Sequence, residues 1–290
     1  MNKENHASPK TIIKDKQKNK AEIFLALHQA SQPFILPNAW DVASAKIFEI
    51  EGFKAIGTTS AGISAVLGYP DGQKMSLEEN LSIVRRIVDH IDLPISADIE
   101  AGYAHSIEGT ARSAEAVIKT GAVGLNLEDS TGNSDNPLVD VSFMAEKLRA
   151  IREISDLIEI HLVINARTDT FLIDNLKPRD RILQTIHRAN CYIDAGADCI
   201  FIPDVGDLNE ETITLLTREI NSPLNIIAGA NTPPLNKLKE IGVARISLGP
   251  RPMRALLAQL RKIARELLRN GTYDLMTNDT LSYSEINQWF

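Results

Sequence analysis

Eight short apolar runs, each followed by a helix-patterned segment, constrain the fold of this 290-residue chain more than any other feature. The runs are FILPNAW (34–40), AIGTTS (55–60), PISADIE (94–100), GLNLED (124–129), LVINAR (162–167), CIFIPD (199–204), LNIIAG (224–229) and RISLGP (245–250). Their ends recur about every thirty residues, the length of one strand plus its return helix. Between them apolar residues take helical spacing, as at Leu77, Leu81, Val84, Ile87 and Val88, or Ile182, Ile186, Ala189 and Ile193. Four linking segments, EIEG, IKTG, IDAG and KEIG, close on the glycine that commonly follows a helix. Eight βα units in a row predict an α/β fold of the (β/α)8 TIM-barrel type. An open doubly wound sheet fits less well, because no GxGxxG or GxxxxGK[ST] fingerprint follows any run. The runs stay apolar until their C-terminal ends, where polar residues appear. That pattern suits strands buried on both faces and a site at the C-terminal mouth.

Two segments flank the repeat. Residues 1–30 read as an N-terminal arm or helix, and 1–20 carry six lysines against Glu4 and Asp15, a mobile basic arm by composition. Residues 31–271 form the barrel. The tail, 272–290, contains Tyr273, Tyr283, Trp289 and Phe290, which suit docking on the barrel or on a neighbouring subunit. A net charge of −7 argues against a nucleic-acid binder. Cys191 and Cys199 are too few for a disulfide scaffold and show no zinc spacing. No signal-like or membrane-length apolar stretch is present, so the expectation is a cytoplasmic protein.

The ends of the runs hold the residues able to do chemistry. Asp98 and Glu100 are two apart, which on a strand points them the same way, and Glu128 ends the next run. Three carboxylates at adjacent strand ends repel one another unless a cation lies among them, and hard oxygen ligands suit Mg²⁺ or Mn²⁺. Arg167 is the natural counter-charge and can grip a carboxylate or phosphate with two parallel bonds. It can equally form a structural ion pair with Glu128 or Asp169. Trp40 closes the first run, and Thr59-Ser60-Ala61-Gly62 is a small-residue turn able to offer N–H groups and hydroxyls to an anion. Asp204, Asn225 and Arg254 lie at the later strand ends or just beyond. No lysine occupies a strand end, which speaks against Schiff-base chemistry, and His105 is the one histidine near the mouth.

The segments LPNAWDVASA, GTTSAGISAVLGYPDG, SADIEAGY, NLEDSTG and NARTDT resemble the isocitrate lyase and phosphoenolpyruvate mutase superfamily, from about Phe34 to Arg254. The resemblance implies a Mg²⁺-dependent barrel acting on small α-oxo, α-hydroxy or enol-phosphate acids through an enolate. It implies that Asp98 is the direct metal ligand. Glu100 stands for the second acid of the family's metal motif, and Asp71 and Glu128 hold metal-bound water. It makes Thr59, Ser60, Ala61 and Gly62 the substrate-carboxylate turn and Arg167 the group facing oxyanion charge. Trp40, Asp204, Asn225 and Arg254 become further substrate contacts. Related proteins are commonly tetramers with exchanged C-terminal helices, so a homo-oligomer, dimer or tetramer, is expected.

The departures narrow the activity. The loop EDSTGNSDNPLVD (128–140) lacks the cysteine, lysine and histidine that the isocitrate and methylisocitrate lyases carry there. Ser130 stands where the mutase and phosphonopyruvate hydrolase branch has a lysine, although Asn133-Ser134 matches that branch's loop and makes both catalytic candidates. The expectation is a Mg²⁺- or Mn²⁺-dependent enzyme that breaks a C–C bond of a small carboxylic acid. Phosphorus–carbon chemistry at the same site and a non-catalytic dicarboxylate-binding barrel are the alternatives.

Overall fold

The computed structural model describes residues 9–173, 176–203, 206 and 208–290. Nine strand segments form one sheet: β1 (Phe34–Leu36), β2 (Asn38–Ala39), β3 (Ile56–Thr58), β4 (Ile95–Asp98), β5 (Gly124–Glu128), β6 (Val163–Arg167), β7 (Cys199–Ile202), β8 (Leu224–Ile227) and β9 (Arg245–Ser247). All pairings are parallel, in the order β1-β9-β8-β7-β6-β5-β4-β3-β2. The eight expected runs are all present, and the first is split. Pro37 separates β1 from β2 because it has no N–H to donate to a ladder. β1 pairs with β9 and β2 with β3, so the two halves of one run bring the ends of the sheet together as a barrel.

Asn38 knits that seam. Its side-chain amide donates to the Thr58 carbonyl at 2.9 Å, and its oxygen accepts the N–H groups of Leu248 and Gly249 at 2.9 and 2.8 Å. The helices follow the expected rhythm. Leu77–His90 starts with a capping box between Ser76 and Glu79 and buries Leu81, Val84 and Ile87. Gly52, Gly121, Gly196 and Gly242 all adopt positive φ, 86°, 92°, 103° and 92°, at the predicted helix ends.

The N-terminal segment, expected as an arm or helix, is helical over its described residues. From Pro9 to Gln29 it is one helix, whose Ala21, Phe24 and His28 are buried. Phe24 packs against the start of β5. A Cβ on Gly124 would lie 2.6 Å from the Phe24 ring, so glycine leaves room for it. Gln17 donates to the carbonyls of Ile118 and Ala122, and Lys16 pairs with Asp92, which ties the helix to the loops that precede the strands. At the other end, the Arg251–Asn270 helix stops at Gly271, and the tail is tied back through Glu266, which accepts bonds from Thr272, Asp274 and Leu275. Tyr273, Tyr283 and Phe290 are exposed within one chain.

Candidate active site at the barrel mouth

The site begins where β4 ends. Asp98 is the last residue of that strand, and its Oδ2 accepts both the N–H and the hydroxyl of Ser60, at 3.0 and 2.8 Å. Ser60 opens the Ser60–Leu67 helix, for which Thr59 is the N-cap. Gly62 must be glycine there, since a Cβ would meet the Thr59 methyl at 2.6 Å and the Trp40 Cβ at 2.8 Å. Asp98 Oδ1 accepts no hydrogen bond among the described residues. The predicted turn 59–62 and Asp98 therefore meet, with Ala61 beside them in the same helix turn.

Glu100 does not share a strand face with Asp98 as the period-2 reading expects. The strand has ended, and the chain turns through Glu100 (φ 50°), Gly102 (φ 97°) and Tyr103 (φ 54°). Its buried carboxylate is clamped by the Gln73 N–H at 2.7 Å and the Tyr103 hydroxyl at 2.8 Å. Burial raises its pKa above the usual carboxylate range, and the charges of Asp98 and Asp71 push the same way. Asp71 itself is exposed in the turn before Gln73.

Glu128 and Arg167 end the paired strands β5 and β6 at the same register position. Their charges meet at 2.7 Å. Arg167 also forks onto Asp169, Nε to Oδ1 at 2.5 Å and Nη2 to Oδ2 at 2.9 Å, and lies over the Phe201 ring. Glu128 is held above its ordinary pKa because burial, with Asp169, Asp98 and Glu100, outweighs Arg167. Burial alone would lower Arg167, yet Glu128 and Asp169 drive its pKa up, so it remains charged. One guanidinium thus faces a crowd of carboxylates, an arrangement that a divalent cation would relieve.

Among the described residues no three Asp, Glu, His or Cys side chains converge closely enough to ligate one ion directly. The donor set suits a hydrated ion held by Asp98, with the neighbouring acids reaching it through water, which is how Mg²⁺ is commonly bound. The open Asp98 oxygen is the observation that fits.

The remaining candidates are more scattered. Trp40 lies in an apolar cluster with Ile63, Met75 and Met253. Asn133 and Ser134 sit in the exposed tongue 130–138, closed by a bridge between Ser130 and Leu138, and line a shallow cavity with Asp169. Asn225 is fully buried with both side-chain polar atoms unpartnered. Arg254 is exposed on the first turn of the long C-terminal helix. Asp204 falls outside the described residues.

Support from a network around Asp129 goes beyond the sequence reading. Buried Asp129 accepts the Tyr192 hydroxyl at 2.8 Å, Arg188 at 3.2 Å and the Asp169 N–H at 2.9 Å. Arg188 also donates to the Val139 carbonyl at 2.9 Å, so one helix fixes both Arg167's partner and the end of the tongue. The signal was Arg188 and Tyr192, four apart on the buried face of the Pro178–Asp194 helix.

Known proteins share this architecture. The sequence profile of phosphoenolpyruvate phosphomutase matches residues 24–268. A Mycobacterium tuberculosis protein is 37% identical over 242 residues, covering 83% of this chain and 87% of its own. The 2-methylisocitrate lyase of Salmonella typhimurium is 27% identical over 282 residues, covering 92% of each. The crystal structure of a candidate lyase/mutase from Burkholderia cenocepacia J2315 superposes with a TM-score of 0.88 at 31% identity, covering 95% of this chain and 97% of the other.

Proposed function

This chain belongs to the phosphoenolpyruvate phosphomutase family, within a superfamily of lyases and mutases, and from that premise we propose a Mg²⁺-dependent carbon–carbon lyase. Mn²⁺ would serve the same donor set. Its substrate is a small α-oxo or α-hydroxy carboxylic acid. The observation that carries the reading is Arg167 among Glu128, Asp98 and Glu100 at one rim, with an open Asp98 oxygen and the Ser60 turn beside it.

When bound, Mg²⁺ supplies Lewis-acid polarisation of the substrate's carbonyl and carboxylate oxygens. Arg167 lies where negative charge would grow on the carbonyl oxygen as the C–C bond breaks, the moment at which fixed positive charge counts most. Asp169 and Glu128 hold the guanidinium in place, so it need not reorganise during the step. The Thr59–Gly62 turn orients the substrate carboxylate, with Trp40, Asn225 and Arg254 as outer contacts. The tongue carrying Asn133 and Ser134 closes over the mouth and keeps water from the enolate.

The absence of a tongue cysteine turns the reading away from methylisocitrate cleavage, despite the Salmonella relative. A panel of oxaloacetate, phosphonopyruvate and 2-methylisocitrate with Mg²⁺, followed by ³¹P and carbon-product readouts, tests this. Turnover of a carbon acid that disappears in Asp98→Ala and falls steeply in Arg167→Ala supports it. Turnover of only the phosphonate, or wild-type rates in either variant, overturns it.

We further propose a homo-oligomer built on the Arg251–Asn270 helix. Leu256, Leu257 and Leu260 are exposed there and border a cavity of about 440 Å³ shared with Trp40, Ile47, Val66 and Met253. Such an apolar face suits a second copy of the chain. A monomer in light scattering would refute it. Among the described residues no helix is long and apolar enough to cross a membrane, which is compatible with a cytoplasmic location.

A further inference from the structure

Lys147 is the most deeply buried lysine among the described side chains, 3% exposed, and it has no carboxylate partner there. Lys14, Lys16, Lys46, Lys119 and Lys237 all sit within 4 Å of an acid. Among the described residues Lys147 donates only to the Ala101 carbonyl, at 3.2 Å, and stands 5.1 Å from the centre of the Phe143 ring. An ammonium has three donors, and a buried cation without a counter-charge is costly. Burial lowers its pKa and no neighbouring acid raises it.

The compensation is missing on the side of a cavity. Lys147 lines a space of about 420 Å³ with Lys74, Tyr103, His105, Thr131 and Phe143. Among the described residues no acid lines it, whereas two lysines and a histidine do. One wall is the base of the tongue. Another is made by Gln73 and Tyr103, the two residues that clamp Glu100. The cavity therefore lies behind the carboxylate cluster at the mouth and shares its supports.

We propose that this cavity is an anion subsite for the carboxylate of a small organic acid, with Lys147 as its buried counter-charge. The inference rests on the reading of the mouth as a carboxylic-acid site and adds a second place where such an acid is held. Lys74 and His105 form its exposed rim and complete the attraction. Filling it would brace the tongue and the Glu100 clamp together, because both contribute walls.

Calorimetric titration of the full-length protein with succinate, without metal and then with Mg²⁺ and oxalate saturating the mouth, tests the subsite. Wild type binds succinate, and Lys147→Gln, which keeps a donor for Ala101 but no charge, weakens binding at least about tenfold. Lys147→Arg restores it, and Lys74→Gln, on the exposed rim where folding is not at stake, weakens it a few-fold. Succinate binding that persists with oxalate bound identifies a separate small acid as occupant. Competition that still depends on Lys147 identifies the distal carboxylate of an acid reaching from the mouth. No succinate binding by wild type, or wild-type binding by both the Lys147→Gln and Lys74→Gln variants, overturns the proposal. Failure of Mg²⁺ and oxalate to bind wild type counts against the mouth reading alone, since the first titration needs neither.

Discussion

His28 makes the stability of the barrel base sensitive to acid in a way that can be calculated. It lies beneath the sheet with Phe24 and Phe34 edge-on to its ring, at 4.8 and 4.9 Å between centres. Its Nδ1–H donates to the Phe24 carbonyl at 2.8 Å, which leaves Nε2 as the lone pair facing Arg245 Nη1 at 3.5 Å. A second proton would place an imidazolium against a fully buried guanidinium. Burial first, and Arg245 second, lower its pKa from 6.5 to about 3. Above 6.5 the ring is neutral in both folded and unfolded chains. As pH falls through 6.5 the unfolded chain takes up a proton that the folded one refuses, and stability declines until about 3. The slope approaches about 1.4 kcal/mol per pH unit, so moving from pH ~7 to pH ~5 costs about 2 kcal/mol. Glu128 and Glu100, both raised in the fold, favour the protonated folded chain and so oppose this slope. The difference between wild type and His28→Gln is therefore the quantity to measure. Urea unfolding followed by tryptophan fluorescence at several pH values gives it. The wild-type advantage over the variant should shrink by about 2 kcal/mol across that interval. An offset independent of pH would refute the argument.

Two other perturbations test the scaffold of the mouth. Gly62→Ala forces a methyl into the space of Thr59 and Trp40, which should cost about 1–3 kcal/mol in denaturant unfolding. It should also loosen Ser60 from Asp98 and weaken Mg²⁺ binding. Arg188→Met strands the buried Asp129 carboxylate and should cost about 3–5 kcal/mol, with proteolysis of the 130–138 tongue quickened because Val139 loses its anchor. Wild-type stability in either variant would show that the contact is not maintained in solution.

The barrel was legible because burial on both faces writes each strand as an uninterrupted apolar run, as in β5 and β6. Pro37 was visible too, but its consequence, a strand divided at the barrel seam, depends on pairings that a sequence does not display. The lysines of the N-terminal segment left arm and helix undivided in the sequence. Among the described side chains Ala21, Phe24 and His28 mark its buried stripe. At the site, the sequence offered residue types but not their geometry. Asp98, Glu128 and Arg167 stand out as polar ends to apolar runs. The turn that carries Glu100 away from the strand uses left-handed backbone at Glu100 and Tyr103, which residue type does not announce. Lys147 had a readable signal: it falls on the stripe Met144, Lys147, Leu148 and Ile151, where a lysine sits at a position meant for the core.

In the proposed mechanism Asp98 anchors a divalent cation beside Arg167, and the pair receives a small α-oxo acid. Oxalate, which mimics the enolate of pyruvate, reports on both when titrated with and without Mg²⁺. Oxalate binding should require Mg²⁺, be lost in Asp98→Asn and weaken about tenfold or more in Arg167→Lys. Oxalate that binds equally well without metal, or that is unaffected by Asp98→Asn, would contradict it.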